Sequence, residues 1–180
     1  MNFFEHFIKS AKHTGAVAQS SKFLAKKMVR KSDLNNVKTI IELGPGMGSI
    51  TGKIIEEMPS GSQLMTFEIN KEFVAHLNKK YPEAKHINAD IKNLKKTLQE
   101  NNLEKADVII SGIPFTGFKK DECDEMFEEI NDVMHADSRF ILFTYTPIKF
   151  RSFFSWFQKM DISYVPLNIP PAYVITLKKK

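Results

Sequence analysis

Apolar positions along the chain switch repeatedly between two spacings. From Asn2 to Lys12 they fall at Phe3, Phe4, Phe7, Ile8 and Ala11, one stripe of an amphipathic helix, and Thr14-Gly15 interrupts it. Ser20-Ser21 offers an N-cap for a second helix through about Lys31. Thr39-Ile40-Ile41-Glu42-Leu43 then reads as a buried strand, followed by a glycine-rich turn and a helix from Ser49 to about Met58 that Pro59 and Gly61 end. Further strands are predicted at Leu64 to Ile69, Lys85 to Asn88, Val108 to Ile110 and Phe140 to Tyr145. Helices are predicted at Lys71 to Lys80, Leu94 to about Asn101, Asp121 to Met134 and Ile148 to Met160. Two late strands, Ile162 to Val165 and Tyr173 to Leu177, are joined by a link too short for a crossover helix, so they should pair antiparallel. The pattern predicts an α/β fold: a mostly parallel seven-stranded sheet, helices on both faces and a C-terminal antiparallel hairpin.

At 180 residues, 42% apolar and 26% charged, one globular domain accounts for the chain. Residues 1–35 are expected as a helical extension, a lid or membrane-surface segment, and 36–180 as the main domain. The lone Cys123 excludes a disulfide scaffold and any CxxC zinc site, and His6, His13, His76, His86 and His135 show no metal spacing, so no metal is expected. No run approaches the roughly 18 apolar residues a spanning helix needs, and the first residues lack the order of a secretory leader. A cytoplasmic protein is the expectation. Charge then sharpens the picture, because the ends are basic and the middle acidic. Residues 1–31 carry seven Lys/Arg against one Glu, 32–147 carry 13 basic against 19 acidic, and 148–180 carry six basic against one Asp. The basic ends also hold Phe3, Phe4, Phe7 and Phe23, and Phe150, Phe153, Phe154 and Phe157 beside Trp156. Basic and aromatic residues together suit a phosphate-bearing partner, nucleic acid or an anionic membrane surface.

Glu42-Leu43-Gly44-Pro45-Gly46-Met47-Gly48 falls between a strand and a helix, where glycines permit a tight turn and close approach of a ligand. A dinucleotide fingerprint would require glycine at Ser49, and a P-loop fails at Met47 and Ile54 despite Gly52-Lys53. The G-x-G-x-G spacing behind an acid instead resembles the cofactor loop of class I S-adenosylmethionine-dependent methyltransferases, which implies a Rossmann-like fold. Glu68 ends the next strand, where a carboxylate can accept both ribose hydroxyls of an adenosine. Asp90 follows the third strand, where it could accept from the adenine amino group. Glu42 reads either as an ion-pairing or capping carboxylate or as a partner of the cofactor's methionine ammonium.

The resemblance extends further. His13-Thr14-Gly15-Ala16-Val17-Ala18-Gln19-Ser20-Ser21, the glycine loop, Ser111-Gly112-Ile113-Pro114-Phe115, Phe143-Thr144-Tyr145 and Asn168-Ile169-Pro170-Pro171-Ala172 resemble bacterial phospholipid N-methyltransferases, which act on phosphatidylethanolamine. That resemblance implies a cofactor site of Thr14, Gly15, Glu42, Gly44, Pro45, Gly46, Gly48, Glu68, Ile69, Asp90, Ile91 and Ser111. It also implies a phospholipid substrate and a peripheral position on the inner face of the cell membrane. The rival is the ribosomal RNA adenine dimethylase family, which has a similar Glu-Leu-Gly-Pro-Gly loop. That family needs an Asn-x-Pro-Tyr/Phe turn, whose carbonyls hold the adenine amino group while the aromatic ring stacks on the base. Here Gly112 stands where the Asn belongs, and Phe115 alone would supply stacking. The dimethylases also carry a C-terminal helical RNA-binding domain, whereas this sequence stops at the last predicted strand. A non-catalytic cofactor-binding protein is a third class.

Methyl transfer from a sulfonium depends mainly on alignment and exclusion of water, but a lipid amine must first lose a proton. Tyr145 at the end of the fifth strand and Tyr173 after Pro170-Pro171 could position an ammonium by cation–π contact, with the phenol a proton acceptor; each could equally be a core tyrosine. His13, beside Thr14-Gly15, is the candidate base. The stripe from Phe3 to Ala11, flanked by Lys9 and Lys12, suits either an interfacial helix or ordinary packing on the sheet. Phe150 to Phe157 is too aromatic all round for a one-sided surface helix, and an exposed ring in it would anchor among headgroups.

Overall fold

The computed structural model describes residues 15–146 and 155–180, with side chains described from Lys22 onward. The expected helix at Asn2 to Lys12, His13, Thr14 and most of the Phe150 to Phe157 run lie outside the described residues. Helix α1 (Gly15–Ser32) leads into β1 (Thr39–Leu43), α2 (Ser49–Glu57), β2 (Gln63–Glu68), α3 (Lys71–Lys80) and β3 (Lys85–Asn88). A short 3-10 turn (Ile91–Asn93) runs into α4 (Leu94–Glu100). Then come β4 (Ala106–Ser111), a second 3-10 turn (Phe115–Gly117), α5 (Lys120–Asp132), β5 (Met134–Thr144), β6 (Phe157–Val165) and β7 (Ala172–Lys179).

The seven strands form one sheet in the order β3-β2-β1-β4-β5-β7-β6. The first five are parallel, and β7 runs antiparallel to both β5 and β6. Each face has its own core. Strand alternation sends Ile41, Leu43, Phe67, Ile109, Phe140 and Leu142 to the side covered by α4 and α5. Ile40, Leu64, Val108, Ile110, Ile141 and Phe143 point to the side covered by α1 and α2. Helix α1, part of the expected extension, contributes to this second core: Leu24, Met28 and Val29, at helical spacing, are buried in it.

Three local expectations are corrected. Ser20 and Ser21 lie inside α1 rather than capping it, because the helix starts at Gly15. The predicted helix through Met160 gives way to strand from Phe157, which pairs with Lys179 and buries its ring against Phe127 and Phe140 at centroid distances of 5.7 and 5.3 Å. Strand β5 starts six residues early, at Met134 rather than Phe140, where the Ser138 hydroxyl donates to the Ala106 carbonyl at 2.6 Å.

Candidate active site

Order reverses between β1 and β4, and there the loops after β1, β2, β3 and β4 converge at the carboxyl edge of the sheet, where open α/β sheets bind ligands. They enclose a cavity of about 240 Å³ walled by Gly44, Glu68, Ile69, Asp90, Ile91, Ile113, Phe118 and Met126, among others. The structure thus brings together Gly44, Glu68, Ile69, Asp90 and Ile91 of the expected set, while Ile113, Phe118 and Met126 are additions. Only the apolar face of α5, with Met126 buried, hinted at the last of these.

The glycine loop is shaped by backbone need. Gly44, Gly46 and Gly48 all have positive φ, 65°, 56° and 84°, which costs an L-residue roughly 1–2 kcal/mol. A Cβ on Gly48 would stand 2.4 Å from the Tyr81 ring and one on Gly44 would stand 2.8 Å from Ile113, whereas Gly46 faces nothing within 4 Å. Gly46 therefore leaves room beside the loop for a ligand. Pro45 is buried between them, and Ser111, also buried, accepts the Ile113 N–H at 3.1 Å and fixes the turn after β4.

Two carboxyls stand behind this loop. Glu68 Oε2 accepts the Gly46 N–H at 3.1 Å and Oε1 accepts the Asn70 N–H at 2.9 Å. Burial pushes its carboxyl above the ordinary value, and the N–H groups of Asn70, Gly46 and Ile69 pull the other way. Asn88 Nδ2 ties the Glu68 and Ile69 carbonyls to β3, each at 2.9 Å. Glu42 is fully buried, and burial raises its carboxyl to about 8 even though the Thr51 hydroxyl donates to Oε2 at 2.6 Å. The negative charge of Glu68 adds to that rise, and among the described residues Oε1 of Glu42 has no hydrogen-bond partner. An orphaned acceptor beside an open glycine loop fits a cationic ligand group. Asp90 caps the following 3-10 turn through the Lys92 N–H at 3.0 Å and keeps an exposed carboxylate at the cavity rim.

The two candidate tyrosines lie on opposite faces of the sheet. Tyr145 packs with Phe143 against the α1 side, ring centroids 5.5 Å apart, and its hydroxyl is hydrogen-bonded by the Asn168 side chain. Burial raises its pKa, so at neutral pH it stays a protonated phenol; that favours ring contact over proton abstraction. Tyr173 is in register with Thr144 on the other face and rests on Tyr164, centroids 5.0 Å apart. Phe115 is only 2% exposed, packed against Phe127 at 4.9 Å, so it has no free face for a base. Among the described residues no cluster of metal-ligating side chains exists, and no helix is long and apolar enough to cross a membrane.

This sheet, with its glycine loop and the acid at the tip of β2, defines a class I S-adenosylmethionine-dependent methyltransferase, and S-adenosyl-L-methionine is its cofactor. The family model described as O-methyltransferase domain matches residues 5–147, and the chain belongs to that family. Ornithine lipid N-methyltransferase of Singulisphaera acidiphila is 26% identical over 174 residues, covering 94% of this chain and 91% of its own. Ribosomal RNA small subunit methyltransferase A of Malacoplasma penetrans is 28% identical over 120 residues, 64% of this chain and 42% of its own. Among solved structures, 1,6-didemethyltoxoflavin-N1-methyltransferase of Burkholderia thailandensis, with bound S-adenosylhomocysteine, superposes with a TM-score of 0.71 at 14% identity. It covers 90% of this chain and 79% of its own, a likeness of fold.

Proposed function

We propose that this chain transfers a methyl group from S-adenosylmethionine to the primary amine of a membrane-lipid headgroup, phosphatidylethanolamine or a related amine lipid, as a peripheral protein at an anionic membrane surface. The turn after β4 carries this reading. An adenine methylase of the dimethylase type needs an acceptor at Gly112 and a free aromatic face at Phe115. A Cβ on Gly112 would stand 2.5 Å from the Gly44 carbonyl oxygen, and Phe115 is buried. A relative that spans nearly the whole chain is a lipid N-methyltransferase, which supports nitrogen as the acceptor although the family description names oxygen.

In this reading Glu68 uses its remaining lone pairs for the ribose hydroxyls, Asp90 meets the adenine amino group, and Ile69, Ile91, Ile113 and Phe118 close over the base. Glu42 and the Gly44 to Gly48 backbone face the methionine end. Bound there, the cofactor supplies a methyl group activated on a sulfonium. Tyr145 offers a π face to the incoming ammonium, held in place by Asn168. His13 as base, Thr14 as cofactor contact and Tyr173 as second aromatic are assigned from the sequence alone.

The test offers competing acceptors to the purified protein with methyl-labelled cofactor: vesicles containing phosphatidylethanolamine, vesicles containing an ornithine lipid, and ribosomal RNA. Label extracted with the lipid is the expected result. Label in the RNA would replace this reading with the adenine one.

A further inference from the structure

Where α1 passes the turn between β6 and β7, a second hollow of about 180 Å³ opens, apart from the cofactor cavity. Its walls are of two kinds. Lys26, Lys27 and Arg30 bring three positive charges, and Phe23, Pro166 and Leu167 bring apolar surface. The apolar groups are not core: Phe23 is 48% exposed, Leu167 62%, and Ile169, two residues along the same turn, 61%. Asp161, the acid of β6 that faces α1, is taken by Lys31 at 2.8 Å and also feels the charge of Lys27, while among the described residues Lys26 and Arg30 are in no ion pair. Aliphatic side chains held in water beside unpaired cations mark an interaction surface rather than a solvated face.

We propose that this hollow docks the protein on an anionic membrane, with Lys26, Lys27 and Arg30 on lipid phosphates and Phe23, Leu167 and Ile169 entering the boundary between headgroups and acyl chains. The inference rests on the lipid-amine reading above and names the surface that serves it. Charge complementarity accounts for the cations, as it would for RNA. The branched aliphatic pair at the tip of the turn distinguishes the two partners. Single-stranded nucleic acid is gripped by aromatic platforms and cationic grooves, whereas the acyl boundary takes leucine and isoleucine. The same turn carries Asn168, whose side chain holds Tyr145, so membrane contact and the proposed amine-positioning ring share one piece of chain.

The test is flotation of the full chain with phosphatidylcholine vesicles carrying phosphatidylglycerol, compared with pure phosphatidylcholine vesicles. Each cation near such a surface contributes about fivefold in partitioning. The double variant Lys26→Gln/Arg30→Gln should therefore bind roughly 25-fold more weakly. Leu167→Ser should weaken binding too. The exposed pair Lys79→Gln/Lys85→Gln, on α3 and β3, makes the same change in net charge elsewhere and should leave binding within twofold. Unchanged melting temperatures establish that the variants are folded. Equal losses in the two double variants, or no loss in the first, overturn the docking surface. So does loss of binding to a short RNA with vesicle binding intact. Methyl transfer to lipid dispersed in detergent separates the two claims: wild type that labels no lipid yet floats through this surface refutes the acceptor and keeps the surface.

Discussion

Replacing Glu42 by glutamine keeps the shape of a buried side chain and removes its titration. The carboxyl moves from an ordinary 4.5 to about 8 on folding, chiefly through burial. The folded protein thus holds this proton more tightly than the unfolded chain does. The resulting stabilisation is complete below the unfolded value of 4.5 and is lost as pH rises toward 8. Within that window wild type should lose up to about 1.4 kcal/mol of stability per pH unit relative to Glu42→Gln, or roughly 2–3 kcal/mol between about pH 5.5 and 7.5. Against a net stability of roughly 5–15 kcal/mol that is readily measured. The raised carboxyl of Glu68 is common to both proteins and cancels to first order. Urea unfolding of the pair across the range should give curves that diverge upward with pH, the variant becoming the more stable. Parallel curves would mean that Glu42 titrates like an exposed acid, and the orphaned Oε1 would lose its significance. A cofactor ammonium near Oε1 favours the charged form, so cofactor binding near pH 7 should also release a proton from wild type and none from the variant. Calorimetry in buffers of different ionisation heat reads that proton directly.

Glu68→Ala should weaken cofactor binding by tenfold to a hundredfold, about 1.5–3 kcal/mol for hydrogen bonds to a charged group; unchanged affinity by calorimetry would remove Glu68 from the ribose site. Gly48→Ala combines positive φ with a Cβ 2.4 Å from Tyr81 and should cost about 2–4 kcal/mol of stability. Gly46→Ala, with the same φ strain but open space, should cost only about 1–2 kcal/mol while losing cofactor affinity; equal melting temperatures for the two would contradict this account of the loop. If the Tyr145 ring positions the amine, Tyr145→Phe should keep most of kcat and Tyr145→Leu should lose tenfold or more, and equal losses would assign the effect to the hydroxyl and its bond to Asn168.

Strands β1 and β3 and helix α3 were legible to the residue; β1 is a local apolar run after a polar link, and the structure adds the start of α3, where Asn70 accepts the Glu72 N–H as its cap. The opening six residues of β5 and the first five of β6 were not. Met134 to Arg139 is mostly polar and is held as strand by pairing with β4, and Gln158, Lys159 and Met160 lie exposed on an edge strand, so neither stretch shows the alternation of a half-buried strand. In the site, the glycines and Glu68 declared themselves by spacing. The bond from Gly46 to Glu68 joins residues 22 apart, and Thr51 meets Glu42 only because α2 folds back over β1, contacts that no periodicity encodes. The burial of Phe115 among Phe127 and Phe140 was equally hidden, since an aromatic after Ile113-Pro114 reads the same whether it stacks on a base or on the core.

The acceptor atom tests the central claim most directly. Phosphatidylethanolamine vesicles are incubated with the protein and S-adenosylmethionine bearing a deuterated methyl group, and the lipid headgroup is then fragmented in a mass spectrometer. The expected product carries the deuterated methyl on the headgroup nitrogen. A methyl on oxygen, or unlabelled lipid beside labelled ribosomal RNA in the same incubation, would contradict it.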